Sequence, residues 1–533
     1  VYGSNTVVNQ DLVDRVATDK VGKLCIHRNG QPFKQRRYNV ITQFGLDHNL
    51  GVYNNNVDAI SRALTERYFF CADKKNGGFR NVYTPRVGAF NNTHFKNFRE
   101  NVMMNMPNLP RLSRQQVVDR YTGSKRLVYQ TAMESLSRER LHERDAYLKM
   151  FVKFEKQDLG KAPRGINPRD PRYNLELGRY LKHAEKPFFE AINAAFASVS
   201  THTVIKGLNA VDSARAIHSK WNRFRNPVAL GMDAEKFDAH VSSSALEFEH
   251  SHYLALFPGA KQLQQLLRWQ IRNKGVAYAD DGKVKFEVRG TRSSGDLNTS
   301  LGNCLIMCGA IYAYARQKQI TVELANNGDD CVVFMEREDL HKFMAGVTSW
   351  FRDRGFSMVC EQPVYEFERV EFCQTHPVCV DGVWRMVRNH EAVLKKDPIC
   401  LIAIQNQLVY SKWLYAVGIG GRILSDGVPV QEALYTTFYD HGTRCTQAMF
   451  EHIHKNSSML TRIKGLALNQ ESIIAPSTRV SYYYAFGVLP DHQIEIEKYY
   501  KNMKIQQWEE QAVERGHLNN LPGLKLLENE ISW

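Results

Sequence analysis

Two apolar runs flank Asn326-Asn327-Gly328-Asp329-Asp330, and no other segment constrains the fold as strongly. Before it Ile320, Val322 and Leu324 alternate with other residues; after it Val332 and Phe334 do the same. Period-two alternation on both sides of a Gly/Asn/Asp turn predicts an antiparallel hairpin carrying Asp329 and Asp330 at its tip. Adjacent carboxylates repel, a cost that a cation at the tip offsets. The ordinary alternative is an acidic surface turn. At average residue frequencies a Gly-Asp-Asp tripeptide arises by chance in roughly one chain in ten of this length, so the hairpin alone decides nothing.

Three more segments carry chemistry. In Asp233-Ala-Glu-Lys-Phe-Asp238 the first Asp closes the apolar run Val228 to Met232, where a carboxylate projects from a sheet's end. Asp238 precedes a helix that Ser242 to Ser244 can cap; capping and the helix dipole explain an Asp at 238 but not at 233. From Ser294 to Asn303 a glycine-centred loop enters a helix whose positions 301, 304, 305, 308 and 312 form an apolar face. Such a loop lets backbone approach a sugar-phosphate chain, whereas a plain helix start leaves Asn303 without a task. The segment Lys153-Phe-Glu155-Lys156, Lys161-Ala-Pro-Arg164, continuing to Arg169 and Arg172, is basic. Lysine point charges and an arginine fork suit a triphosphate, although most charge runs are solvated faces.

The charge balance, 70 Lys+Arg minus 56 Asp+Glu, is +14, which favours a polyanionic partner, nucleic acid first and an anionic membrane second. With 43% apolar and 24% charged residues, intrinsic disorder is excluded as the main description. The 533 residues allow three or four units at about 150 residues each. No internal repeat is visible, and the first 60 residues do not read as a self-contained domain. From Val228 to Phe372, strand-like runs (Val228 to Met232, Ile320 to Ala325, Cys331 to Met335) alternate with helical patterns (Ser244 to Phe257, Leu301 to Arg316, Glu338 to Arg354). Beyond about residue 390 helical periodicity dominates, with Pro429, Pro476 and Pro490 as breakers. The best candidate for a membrane span, Leu401 to Gly421, is interrupted by Gln405, Asn406, Gln407 and Lys412, so none is expected. A start at Val1 without a signal-peptide pattern suggests a fragment or processed product. The ten cysteines form no framework and read as reduced thiols in a cytosolic compartment; Cys373, His376, Cys379 and His390 meet no standard zinc spacing.

In chain order, the basic clamp, Asp-x4-Asp, Ser-Gly-x3-Thr-x3-Asn and Gly-Asp-Asp resemble motifs F, A, B and C of viral RNA-dependent RNA polymerases. Glu371-Phe372-Cys373, followed by Asp381-Gly382, looks like motif E. The wording of Asn167 to Asn174, Phe237 to Ser242 and Gly295 to Asn303 resembles the tombusvirus and luteovirus group of plant positive-strand RNA viruses, over about residues 120 to 390. The resemblance implies an α/β (α+β) right-hand fold closed by finger extensions. Its parts would be an N-terminal extension and fingers (1–198), palm (199–240), fingers insertion (241–290), palm (291–385), and thumb with C-terminal tail (386–533). It implies RNA-templated RNA synthesis started de novo, with two Mg²⁺ (or Mn²⁺) ions held mainly by Asp233 and Asp329 and less directly by Asp330. Lys153, Lys156, Lys161 and Arg164 would hold the NTP, with Asp238, Ser294, Thr299 and Asn303 completing that site. RNA contacts are expected at Gly295, Arg169, Arg172, Phe372 and Cys373.

The partners so implied are single-stranded RNA template, nascent RNA, NTPs and an upstream viral replication protein that supplies membrane attachment. The implied location is the host cytoplasm, in a membrane-associated replication complex. One departure stands out. Many such polymerases place a lysine after motif D as general acid for pyrophosphate, but Gly355 to Val364 contains none, leaving that role unassigned. Three alternatives stay open: a reverse transcriptase, which usually has a bulky aromatic gate where this chain has Asp238 and Asn303; a two-metal nuclease; and a non-catalytic RNA-binding or coat protein.

Overall fold

The runs around Gly328 form the expected hairpin, Glu323–Asn327 with Asp330–Glu336, closed by the pair Asn327 and Asp330. It belongs to a four-stranded antiparallel sheet in the order Glu323–Asn327, Asp330–Glu336, Pro227–Glu235, Ser357–Cys360. The computed structural model describes residues 5–7, 22–45, 49–73, 75–196, 202–469, 473–508 and 514–516. Both faces of the sheet are covered, which is why Val228 to Met232 and Cys331 to Met335 read as unbroken apolar runs. Val228, Leu230, Met232, Cys331, Val333 and Met335 face one core, shared with the helix Thr299–Lys318. Ala229, Val332 and Phe334 face the other, against Ala214 and Ile217 of the helix Ala210–Asn222. The helix Thr299–Lys318 is buried all round from Leu301 to Ala315, so the single apolar face expected of it is too narrow a description.

A six-stranded sheet flanks this centre, in the order Asn5–Val7, Gly22–Arg28, Gly282–Arg289, Arg272–Ala279, Leu148–Val152, Gly165–Ile166. Early residues thus pair with a hairpin from beyond residue 270, consistent with the absence of a self-contained N-terminal domain. The expected boundary at residues 198/199 falls outside the described residues. The helix expected over 338–354 is two short helices, Leu340–Met344 and Val347–Arg352, because Gly346 takes a left-handed φ of 80°. A second hairpin, Thr375–Val380 with Val383–Arg388, turns at Asp381 and Gly382, whose φ values of 47° and 81° suit a primed turn.

The C-terminal part is helical, with Gln407–Leu424, Gln431–Asp440, Pro476–Phe486 and Pro490–Asn502 around one core. Pro476 and Pro490 open helices rather than break them, since a first-turn residue needs no donor N–H. Asn406, one of the polar interruptions, caps Gln407–Leu424 by accepting from the Val409 amide at 3.0 Å. Among the described residues no helix is long and apolar enough to cross a membrane. A three-stranded sheet of Ile399–Cys400, Arg37–Val40 and Glu514–Gly516 ties the two ends of the chain together.

Candidate active site

Asp233 and Asp330 are register partners on adjacent strands, and Asp329 occupies the turn just before. Gly328 enters that turn at a left-handed φ of 67°, and Asn326 pins it by donating from Nδ2 to the Gly328 carbonyl at 2.7 Å and the Asp330 carbonyl at 3.2 Å. The three carboxylates border a cavity of about 1130 Å³. Lys153, Lys161 and Arg164 border the same cavity, as do Asp238, Ser294 and Gly295. Four segments distant in sequence thus meet at one space.

Its electrostatics are strained by like charge. Burial and Asp233 raise the Asp329 carboxyl above its ordinary value, with Arg164 opposing. Burial and Asp329 push Asp330 up to about 6. Asp238 is likewise pushed up to about 6, by burial and Asp329, against the lowering effect of Arg292, Asn303 and Arg164. Among the described residues no three His, Cys, Asp or Glu side chains converge as a ready-made metal cage. What the hairpin tip offers is a few mutually repelling carboxylates on an open space. That donor set fits magnesium, which takes one or two carboxylates and fills its shell with water and phosphate oxygens.

The basic segment splits into two groups. Lys153 and Arg164 are joined through backbone, the Lys153 amide donating to the Arg164 carbonyl at 2.8 Å, and both face Glu155, at 2.9 and 3.6 Å. Lys161 and Arg164 are exposed to the cavity. Lys156 is different: its ammonium donates to the Lys396 carbonyl at 2.8 Å, and burial holds its pKa below the usual lysine value. It borders the same cavity but is tied to the C-terminal part by that bond.

Four of the expected RNA contacts are corrected by burial or by internal bonds. Arg169 is 3% exposed, and its donors are spent on Asp296, the Ala146 carbonyl and Asn273 Oδ1. Arg172 is engaged by Asp145, Ser135 and the carbonyls of Glu139 and Arg140. Phe372 is buried in the core against the central sheet. Cys373 is half-buried, its Sγ accepting from Asn327 Nδ2 at 3.6 Å, so it backs the acidic hairpin. Only Gly295 remains exposed; its φ of 135° and its packing on the Asn167–Pro168 backbone leave no room for a side chain.

Ser294 donates to the Gly165 carbonyl at 2.8 Å, locking the loop to the basic segment. Thr299 turns its hydroxyl onto the Ser293 carbonyl at 2.8 Å and does not border the cavity. Asn303 is 8% exposed, accepts from Arg292 Nε at 2.8 Å and reaches Asp238 Oδ1 at 3.5 Å. Asp238 lies inside the short helix Phe237–His240, while Ser242 caps the next one, so helix capping does not account for it.

Sequence reasoning missed Arg67, Lys236 and Lys396, which also border the cavity. Lys236 sits between the two aspartates of its own segment, with a left-handed φ of 47° that lysine seldom adopts. Burial, Arg67 and Lys161 lower its pKa to about 8. Its place between Asp233 and Asp238 was the available signal. Arg67 comes from a π-helical turn, Thr65–Phe69, and nothing in its local sequence marks it.

The family described as viral RNA dependent RNA polymerase matches residues 24–508, and the chain belongs to that family. It is 41% identical over 473 residues to the RNA-directed RNA polymerase of oat chlorotic stunt virus (isolate United Kingdom), covering 85% of this chain and 62% of that protein. It is 39% identical over 496 residues to that of tobacco necrosis virus (strain A), covering 91% and 66%. With that of tomato bushy stunt virus (strain Cherry) it shares 37% identity over 515 residues, 95% and 60% of the two chains. The chain thus spans about three fifths to two thirds of these relatives.

Proposed function

We propose that this chain synthesises RNA on an RNA template by nucleotidyl transfer. The observation that carries the reading is the single cavity bordered by Asp233, Asp329 and Asp330 on one side and by Lys153, Lys161 and Arg164 on another. A triphosphate needs both, carboxylates for its cations and cations for its phosphates. In a right-hand description the four-stranded sheet is the palm, the six-stranded sheet belongs to the fingers, and the helices beyond residue 386 are the thumb. The names of the relatives support this reading.

Asp233 and Asp329 would hold the divalent ions, which when bound neutralise charge on the attacking and leaving oxygens. Arg164 borders the cavity together with Asp329 and Arg67, and its fork would hold the triphosphate. Asp238, braced by Asn303, faces the cavity as an acceptor for a ribose hydroxyl. The Ser294-Gly295 loop lets template backbone approach without a side chain in the way. De novo initiation, RNA and NTPs as partners, an upstream replication protein that supplies membrane attachment, and a place in membrane-associated complexes of the host cytoplasm complete the proposal.

The test is incubation of the chain with an RNA template, NTPs or dNTPs, and Mg²⁺ or Mn²⁺. Template-length RNA supports the proposal. DNA product selects a reverse transcriptase, degradation a nuclease, and binding without product a non-catalytic RNA-binding protein.

A further inference from the structure

Arg292 is among the largest side chains in the protein with no solvent exposure. Its amide donates to the Asp238 carbonyl at 2.9 Å and the Thr291 amide donates to the Val241 carbonyl at 2.8 Å, strapping this segment along the turn that carries Asp238. The guanidinium then spans two helices. Nη2 pairs with the Glu249 carboxylate of Ser243–Leu256, and Nε donates to Asn303 Oδ1 of Thr299–Lys318 at 2.8 Å. Glu249 is held in turn by Asn298 Nδ2 and the Tyr253 hydroxyl, each at 2.6 Å. Gly302 makes room for the pair, since a Cβ there would collide with both Arg292 and Glu249. Arg292 Nη1 is enclosed and has no acceptor among the described residues. A buried ion pair with an unmet donor is weak stabilisation and is better explained by the geometry it imposes.

A guanidinium only donates, so the Asn303 atom facing it must be the oxygen. The amide nitrogen is therefore turned toward Asp238 Oδ1, 3.5 Å away. Rotated by half a turn, Asn303 would set its oxygen against the Asp238 carboxylate, acceptor against acceptor. Asp238 borders the cavity and Asn303 does not, so the effect reaches a substrate through Asp238. We propose that Arg292, anchored by Glu249, is a positioning residue for sugar selection: it fixes the Asn303 amide so that Asp238 keeps a carboxylate oxygen aimed at the ribose 2′-hydroxyl. This rests on the polymerase reading above. Without Arg292 Nε, Asp238 loses its fixed partner, and a deoxyribose is rejected less strongly because less hydrogen bonding is forfeited.

The test is single-nucleotide addition of GTP against dGTP opposite a template cytidine, for the full chain and the variants Asn303→Ala, Arg292→Lys, Glu249→Gln and Arg292→Lys/Asn303→Ala. Asn303→Ala is expected to lower the GTP/dGTP ratio of kcat/KM at least about tenfold, and Arg292→Lys about fivefold. In the Asn303→Ala background Arg292→Lys should lower the ratio no further, the coupling expected of residues that act through one another. A purely structural role would slow GTP and dGTP equally and leave the ratio where it was. An unchanged ratio in Arg292→Lys, with Asn303→Ala altered, overturns the inference. An unchanged ratio in Asn303→Ala overturns the sugar-site reading beneath it. If Arg292→Lys does not fold, Glu249→Gln takes its place, with a smaller fall expected and no fall counting against the inference.

Discussion

Asp233 and Asp330 face each other across neighbouring antiparallel strands, and that register brings Asp329, one residue earlier, to the mouth of the same cavity. A one-residue slip would turn one carboxylate to the opposite face. The pairing predicts that Asp233→Ala or Asp329→Ala lowers nucleotide addition more than about a hundredfold, the scale expected when preorganised charge stabilisation is removed. RNA affinity, measured by filter binding, should change little because the cationic residues remain. Activity within about tenfold of the parent in either variant would remove these residues from the reaction.

The same crowding has a thermodynamic consequence for Asp330. Its carboxyl is pushed from 3.8 to about 6 by burial and Asp329. Between those values the folded chain holds a proton that the unfolded chain has released, so this group costs the fold nothing below about pH 3.8, an increasing amount as pH rises through the window, and its full penalty above about pH 6. Asp330→Asn removes the charge. In buffer without divalent ions it should raise stability at pH 7.5 by about 1 kcal/mol, a figure discounted because cavity water screens the repulsion. The gain should be about half as large at pH 5 and vanish only below about pH 3.8. Thermal unfolding of the parent and variant at both pH values checks this; a lower Tm for Asp330→Asn at pH 7.5 contradicts it.

Sugar discrimination should carry its own pH dependence through Asp238. Burial and Asp329 push this carboxyl up to about 6, while Arg292, Asn303 and Arg164 hold it down. Arg67 and Tyr68 also face it. Only the ionised form leaves both oxygens as acceptors. The GTP/dGTP ratio should therefore be constant from about pH 7 to 8.5 and fall as pH drops through about 6. Asn303→Ala removes a partner of the charged form and should move that fall to higher pH. A ratio independent of pH between 5.5 and 8 excludes Asp238 as the acceptor.

What the sequence disclosed follows from the range over which each signal acts. The hairpin around Gly328 was legible because turn chemistry and alternation are local. Its neighbour Pro227–Glu235 was legible as an apolar run ending in Asp233. Arg169 and Arg172 were misjudged because charge in sequence does not reveal its partner; Asp296 lies 127 positions from Arg169. Phe372 was misplaced for the same reason, since the core face it fills comes from Ala210–Asn222 and the central sheet. Pro476 and Pro490 punctuate helices from the front, a distinction that composition alone does not make. Arg67 was invisible, because only the fold brings it to the cavity bordered by Asp233, Asp329 and Arg164, all beyond position 150.

Lys236 gives the last prediction. Its ammonium shares the cavity with Arg67 and Lys161, and their charges together with burial bring its pKa to about 8. A bound triphosphate adds negative charge beside this cluster, so binding should draw Lys236 toward its protonated form. Lys236→Met should raise KM for NTP about five- to tenfold, roughly 1–1.4 kcal/mol, and change RNA affinity less. Lys236→Arg should restore KM, since arginine stays charged throughout the accessible range. The sign for the parent follows: the lysine is charged below about 8, so KM should climb as pH rises above that value. The Lys236→Arg variant should show no such climb. Steady-state kinetics between pH 7 and 9.5 separate the cases. An equal climb in both chains would assign the pH dependence to another group and leave Lys236 as a structural residue of its turn.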